Sequence, residues 1–212
     1  MVVNITEDSV NVLVTGFEVC GKHAINPSWE VAKTFSGTTI KSGKKEVLLS
    51  SIRLPVEYQP IIDIVPPLHR EPHNFNYVFH IGVGLNGPIR METLARNGPY
   101  NKIDNRNETP VGEVIEGPPQ LFTKVNVEHV IEWGKSKKGW KDNVRLSTDA
   151  GLYLCEWTLF TSLRESVKED SSNATVLFIH VPQIGEGEGM MTLESMTQTV
   201  SEIIEGVIAN SN

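Results

Sequence analysis

Short apolar runs alternate along this chain with segments whose apolar residues recur at helical spacing, and that alternation restricts it to an α/β architecture. Residues 11–15, 46–54, 77–82, 144–147 and 174–181 read as strands, several of them too continuously apolar to have a solvated face. Residues 27–35, 59–68, 127–135 and 153–165 read as the helices between them. The last element is the most sharply patterned. Leu193, Met196, Val200, Ile203, Ile204, Val207 and Ile208 fall on one helical face, which must pack on something, with a sheet as its natural partner. The expected fold is an α/β sandwich on a twisted, largely parallel sheet. Residues 97–119, rich in Asn, Gly and Pro, read as a long surface excursion. One domain over 1–212 is expected, with about residues 1–10 as a flexible N-terminus.

An open sheet of this kind binds ligands beyond the carboxyl ends of its strands. Gly16-Phe17 and His180 both stand there, His180 at the end of an apolar strand and Cys155 at the start of a helical run. A thiol and an imidazole on neighbouring rigid elements are the parts of a cysteine hydrolase. Each residue alone has a plainer explanation, a small buried hydrophobe or an ordinary strand-end histidine. A helix beginning near Asp149 or Gly151 would also favour a thiolate at Cys155.

Other motifs lead elsewhere or nowhere. The segment from Gly16 to His23 nearly spells a phosphate-binding loop, but His23 replaces the hydroxyl residue that would hold magnesium, and Pro27 interrupts the following helix. Gly82-Val83-Gly84-Leu85-Asn86-Gly87 matches a dinucleotide fingerprint without the acidic strand end that would bind a ribose, so a tight turn with close backbone approach is expected. His69 and His73 read as solvated loop histidines, with Pro72 spoiling a metal-ligating helix between them. His80 reads as a hydrogen-bonded core histidine, and His23 and His129 as surface residues.

The net charge of −7 argues against a nucleic-acid surface. The only dense basic stretch, 135–141, is broken by Gly139 and Trp140 and reads as a solvated loop. Two cysteines far apart, no apparent signal peptide and no apolar run long enough to span a membrane favour a reduced, cytoplasmic protein. Nothing in the sequence sets an oligomeric state.

Several segments together resemble the pyroglutamyl peptidase I (pyrrolidone-carboxylate peptidase) family of C15 cysteine peptidases. They are residues 12–18 with Asn26-Pro27-Ser28-Trp29-Glu30, the stretch from His80 to Asn105, Leu54-Pro55-Val56-Glu57-Tyr58-Gln59, and the segments around Cys155 and His180. The likeness runs in order through nearly the whole chain. It implies a three-layer α/β/α sandwich, a catalytic Glu92–Cys155–His180 triad and no metal or cofactor. The implied substrates are peptides with an N-terminal pyroglutamyl residue. Glu92 is raised only by this resemblance, since otherwise it reads as a solvated helix carboxylate.

By the same resemblance Phe17, Cys20, Asn26, Gly82, Val83 and Gly84 would line the substrate site, with oxyanion donors near Gly82–Gly84 or near Cys155. The family's Gly-Phe-x-Pro-Phe-Gly-Gly loop keeps its first phenylalanine as Phe17, but Val19, Cys20 and Lys22 replace the Pro, the second Phe and a Gly. Losing one aromatic wall should cost roughly 1–3 kcal/mol of ring contact and alter selectivity. Cys20 would then line the pocket into which Cys155 attacks, where mild oxidation could join the two. Three rivals follow: a cysteine amidase for another N-terminal acyl group, a catalytically silent peptide-binding member, and a nucleotide-binding module.

Overall fold

The computed structural model describes residues 9–21, 24–110, 115–137, 140, 143–185 and 191–211. His23, Lys22, most of the N-terminal segment expected to be flexible, and part of the 135–141 basic stretch lie outside these residues.

Seven strands form the main sheet. In chain order they are β1 (Ser9–Phe17), β2 (Thr38–Ser42), β3 (Lys45–Leu54), β4 (Tyr77–Val83), β5 (Ile89–Glu92), β8 (Val144–Ser147) and β9 (Thr175–Val181). Two short strands, β6 (Leu94–Arg96) and β7 (Gln120–Phe122), pair antiparallel beside it. The spatial order is β2-β3-β1-β4-β9-β5-β8. β3, β1, β4 and β9 run parallel, while β2 runs against β3. β5 runs against β9 and carries β8 parallel beside it. The sheet is therefore mixed and mostly parallel, as the alternation predicted.

Side-chain alternation along the central strands separates two cores. Val12, Val14, Phe79, Ile81, Leu177, Ile179 and Val181 face one side, under α1 (Pro27–Lys33), α3 (Val127–Gly134) and α5 (Leu193–Ala209). There α5 buries Met196, Val200, Ile203, Ile204, Val207 and Ile208, the face its sequence announced. Leu13, Phe17, Leu54, Val78, Val176 and Phe178 face the other side, under α2 (Tyr58–Ile64) and α4 (Leu154–Glu165). Three layers result.

The departures from expectation have local causes. The helix expected over 59–68 ends at Ile64 and passes into a 3-10 turn, Pro66–His69, because Pro66 and Pro67 lack the amide hydrogens an α-helix needs. His69 is not solvated. It is fully buried, with Nε2 on the Ser162 hydroxyl at 2.8 Å. Burial first of all pulls it down to about 4, so it stays neutral. His80 is the core histidine expected, 2.7 Å from Thr15 Oγ1, and burial lowers it to about 3. Trp140, in the basic stretch, is fully buried rather than solvated. The strands β2, β5, β6 and β7 had no clear sequence signal, three of them being only three or four residues long.

Candidate active site

Period-two alternation decides which strand residues reach α4. On β9, Val176, Phe178 and His180 share one face. β5 lies antiparallel beside it with Arg90 opposite His180 and Glu92 opposite Phe178, so all four side chains emerge on the α4 side. Met91 and Ile89 point to the α5 core instead. Because β5 runs the other way, its carboxyl end lies deeper in the sheet than the end of β9. Glu92 consequently sits beneath His180, fully buried, on a strand rather than on the solvated helix its surroundings suggested.

The His180 Nδ1–H donates to Glu92 Oε1 at 2.7 Å. Glu92 Oε2 is buried without a partner in the structure, which leaves its charge to be balanced chiefly by the imidazole. The same imidazole is also within hydrogen-bonding reach of the Cys155 sulfur, with which it shares the wall of one groove. Burial pulls His180 downward, but the Cys155 sulfur, through its charge and that hydrogen bond, and then Glu92, together raise it to about 9.

Cys155 is the second residue of α4, inside the first turn where the unpaired amides and helix dipole favour negative charge. The helix begins slightly later than Asp149 or Gly151. Ahead of it, Leu152 takes a left-handed conformation with φ of 48° and donates its N–H to Glu156 Oε2 at 2.6 Å. Glu156 is fully buried and also accepts from Arg96 N and Nε, each at 2.8 Å. Arg96 reaches on to Asp149. This ion-paired cluster fixes the turn that delivers Cys155.

The two glycines of β4 and its exit allow the reacting atoms to settle against the sheet. A Cβ on Gly82 would lie 2.8 Å from Cys155 Sγ and 2.6 Å from the Phe178 ring, and one on Gly84 would lie 2.9 Å from His180 Cβ. The expected close approach is therefore of side chains, not of a pyrophosphate. Gly16 has a comparable reason, since its Cβ would strike the Ser28 carbonyl at 2.4 Å. The Phe17 and Glu18 amides are already spent on Ser28 Oγ and the Leu54 carbonyl, so they form no phosphate cradle.

Cys155 stands between two cavities. A small one of about 110 Å³ is lined by Phe17, Cys20, Asn26, Val56, Val83, Tyr153, Leu154 and Cys155. A larger groove of about 340 Å³ contains His180, Glu92, Gly84, Arg90 and Lys102 among its walls. Of the residues expected to line the substrate site, Phe17, Cys20, Asn26 and Val83 border the small pocket. Val83 and Gly84 border the groove, and Gly82 backs Cys155 from beneath. Asn26 is engaged within its own loop through both side-chain polar atoms. Its amide donates to the Glu18 carbonyl and its oxygen accepts from Ser28, so it shapes the loop. Both cysteines are free.

Val56, Tyr153 and Leu154 were not singled out by sequence. Tyr153 had a signal in its position next but one to the cysteine. Burial, and then the neighbouring Cys20, Asp104 and Cys155, push its phenol up to about 12. Its hydroxyl donates to the Ile103 carbonyl at 3.0 Å. The 97–119 excursion is thus tied to the site rather than merely laid on the surface. Asn105 donates to the Val19 carbonyl at 3.0 Å, and Lys102 to the Gly151 carbonyl at 3.3 Å. No metal-binding cluster of His, Cys, Asp and Glu occurs among the described residues, and no helix among them is long and apolar enough to cross a membrane.

A sulfur beside an imidazole, itself braced by a buried carboxylate at the mouth of an open α/β sheet, is the arrangement a cysteine hydrolase uses. Comparison with known proteins narrows this class. The pyroglutamyl peptidase family model matches residues 10–210. Pyroglutamyl-peptidase 1 of Rattus norvegicus is 30% identical over 204 residues, covering 93% of this chain and 90% of the rat protein. The Homo sapiens pyroglutamyl-peptidase 1 is 31% identical over 182 residues, covering 82% and 80%. Among solved structures, a mutant pyrrolidone carboxyl peptidase from Pyrococcus furiosus superposes with a TM-score of 0.80. It has 26% sequence identity, over 94% of this chain and 98% of that one. The chain belongs to the pyroglutamyl peptidase family, the C15 peptidases.

Proposed function

We propose that this protein removes the N-terminal pyroglutamyl residue from peptides through an acyl-enzyme on Cys155. The observation that carries the proposal is the Glu92–His180–Cys155 chain opening beside a pocket of about 110 Å³. That volume is equivalent to roughly four waters, which suits a five-membered lactam. Its walls, Phe17, Val56, Val83, Tyr153 and Leu154, are mainly apolar, as an uncharged ring requires.

His180, raised to about 9 by the Cys155 sulfur and Glu92, is the base that takes the thiol proton, so that Cys155 reacts as the thiolate. The sulfur attacks the pyroglutamyl carbonyl. The developing oxyanion is met by the open amides at the start of α4, the Cys155 N–H foremost. The Gly84 N–H cannot contribute, being bonded to the Val181 carbonyl at 2.9 Å. His180 protonates the departing amine, then takes a proton from the water that hydrolyses the thioester. Glu92 holds the imidazole in orientation and balances its charge throughout. Both cysteines are free, and a reducing compartment such as the cytoplasm would keep the nucleophile in that form.

The test is hydrolysis of pyroglutamyl-aminomethylcoumarin beside acetyl, formyl and prolyl analogues. Turnover of the pyroglutamyl compound alone, abolished in Cys155→Ala, is the expected result. Turnover of another acyl group instead would favour the altered amidase, and no turnover with Cys155 still alkylated by iodoacetamide would favour a silent binding protein.

A further inference from the structure

The groove and the small pocket share Val83, Tyr153 and Cys155, but only the groove contains His180. Since His180 delivers a proton to the leaving amine, the groove receives the part of the peptide that follows the scissile bond. Its charged walls are unusual for a surface of net charge −7. Arg90 and Lys102 both line it.

Neither cation forms an ion pair with a carboxylate among the described residues. Each is instead held by neutral acceptors that fix its place without cancelling its charge. Arg90 donates to the Leu85 and Asn86 carbonyls at 2.9 and 3.3 Å. Lys102 donates to the Gly151 carbonyl at 3.3 Å and lies 5.7 Å from the centre of the Tyr153 ring. Arg145, exposed on β8, stands opposite Arg90 in the β5–β8 register, so that register position brings Arg90 no acidic partner.

The two acids in the wall each have a partner other than these cations, Glu92 in His180 and Asp149 in Arg96, which Asp149 shares with Glu156. The groove therefore offers, at Arg90 and Lys102, two preplaced cations with no carboxylate partner of their own to whatever leaves from Cys155. We propose that its leaving-group side recognises a carboxylate close after the scissile bond. That carboxylate is either an acidic side chain on the next residue or the free C-terminus of a pyroglutamyl dipeptide. The proposal rests on the pyroglutamyl peptidase reading and adds a substrate class to it.

Three substrates separate the two sources: pyroglutamyl-Gln-amide, pyroglutamyl-Glu-amide and pyroglutamyl-Gln with a free C-terminus. The expected result is a kcat/KM higher for at least one acid than for the amide by roughly 3- to 10-fold at low salt, shrinking as salt screens the groove. Whichever acid is favoured identifies the source. The ratio should fall towards one in Arg90→Gln and Lys102→Gln, and stay at its wild-type value in Lys44→Gln, which removes a charge from the distant β2–β3 turn. A second readout does not require peptidase activity. In a Cys20→Ser background, anionic iodoacetate should alkylate Cys155 faster, relative to neutral iodoacetamide, than in the Arg90→Gln and Lys102→Gln variants. Equal rates for acids and amide with an unchanged alkylation ratio would overturn the proposal. Absence of any peptide turnover with the alkylation ratio still dependent on Arg90 and Lys102 would instead count against the pyroglutamyl reading alone.

Discussion

The two faces of the sheet are built differently. Beneath α5 the core is almost wholly aliphatic and aromatic, with Val200, Ile203 and Ile204 seated on Val12, Val14, Phe79 and Leu177 in one continuous cluster. Beneath α4 the packing is interrupted by buried polar groups: His69, His80, Glu92, Glu156, Ser162, Glu165 and His180. Each such group costs desolvation, and most recover it through a named partner. The difference teaches that the α5 side holds the strands in register, while the α4 side accepts polar burial in order to place a sulfur, an imidazole and a carboxylate.

That division can be broken most forcefully at Glu92. In Glu92→Gln the imidazole loses its anionic brace, and kcat should fall by roughly 10³- to 10⁴-fold. The melting temperature should move little by comparison, because a neutral amide relieves the half-satisfied buried charge. A kcat within 10-fold of wild type would remove Glu92 from the mechanism. The opposite pattern is expected across the sheet. Ile203→Ala opens a cavity in a fully buried site and should cost about 2–5 kcal/mol of stability, measured by urea unfolding. Activity per folded molecule should be retained, and its collapse would show that the two faces are not independent.

The same division reappears with pH, because the buried histidines among the described residues, His69, His80 and His180, all lie on the α4 side. His69 and His80, lowered to about 4 and about 3, favour the neutral form on folding. The stability they contribute is complete above the unfolded value near 6.5 and is lost as pH falls through their folded values. His180, raised to about 9, behaves oppositely. Its contribution is complete below about 6.5 and is lost as pH rises through 9. Urea midpoints should therefore decline on both sides, and the acid decline should be shallower in His69→Gln. An unaltered acid limb in that variant would assign the loss to other groups.

The smallest expected effect concerns Cys20 at the pocket edge. Peroxide can take two electrons from Cys20 and Cys155, linking them while it is reduced to water. The bond requires their Cα atoms to come within about 7 Å. Inactivation by peroxide should be reversed by dithiothreitol and slowed in Cys20→Ser. Equal inactivation of that variant, with no linked peptide by mass spectrometry, would exclude the link.

The long, periodic elements were legible in the sequence. α5 announced its buried face, and the apolar runs of β1, β4 and β9 announced a mostly parallel sheet, because hydrophobic period reports burial directly. Cys155 and His180 were visible as a pair at element ends. Glu92 was not, since Ile89-Arg90-Met91-Glu92 is too short to show a period, and its burial depends on the reversed direction of β5, a long-range property. His69 was misplaced for a related reason. Its proline-rich surroundings resemble a loop, and only the tertiary contact with Ser162 shows that the loop is folded inward. The pocket walls Val56 and Tyr153 come from separate segments brought together by packing.

The direction of β5 has one more consequence. Were every strand aligned, the mouth of the sheet would present all its side chains to water together, and an acid beside His180 would lie at the same shoreline. A strand laid the other way next to β9 lets the chain approach the histidine from inland, so the carboxylate arrives already dry. The orientation of four residues thus separates what the solvent can reach from what it cannot.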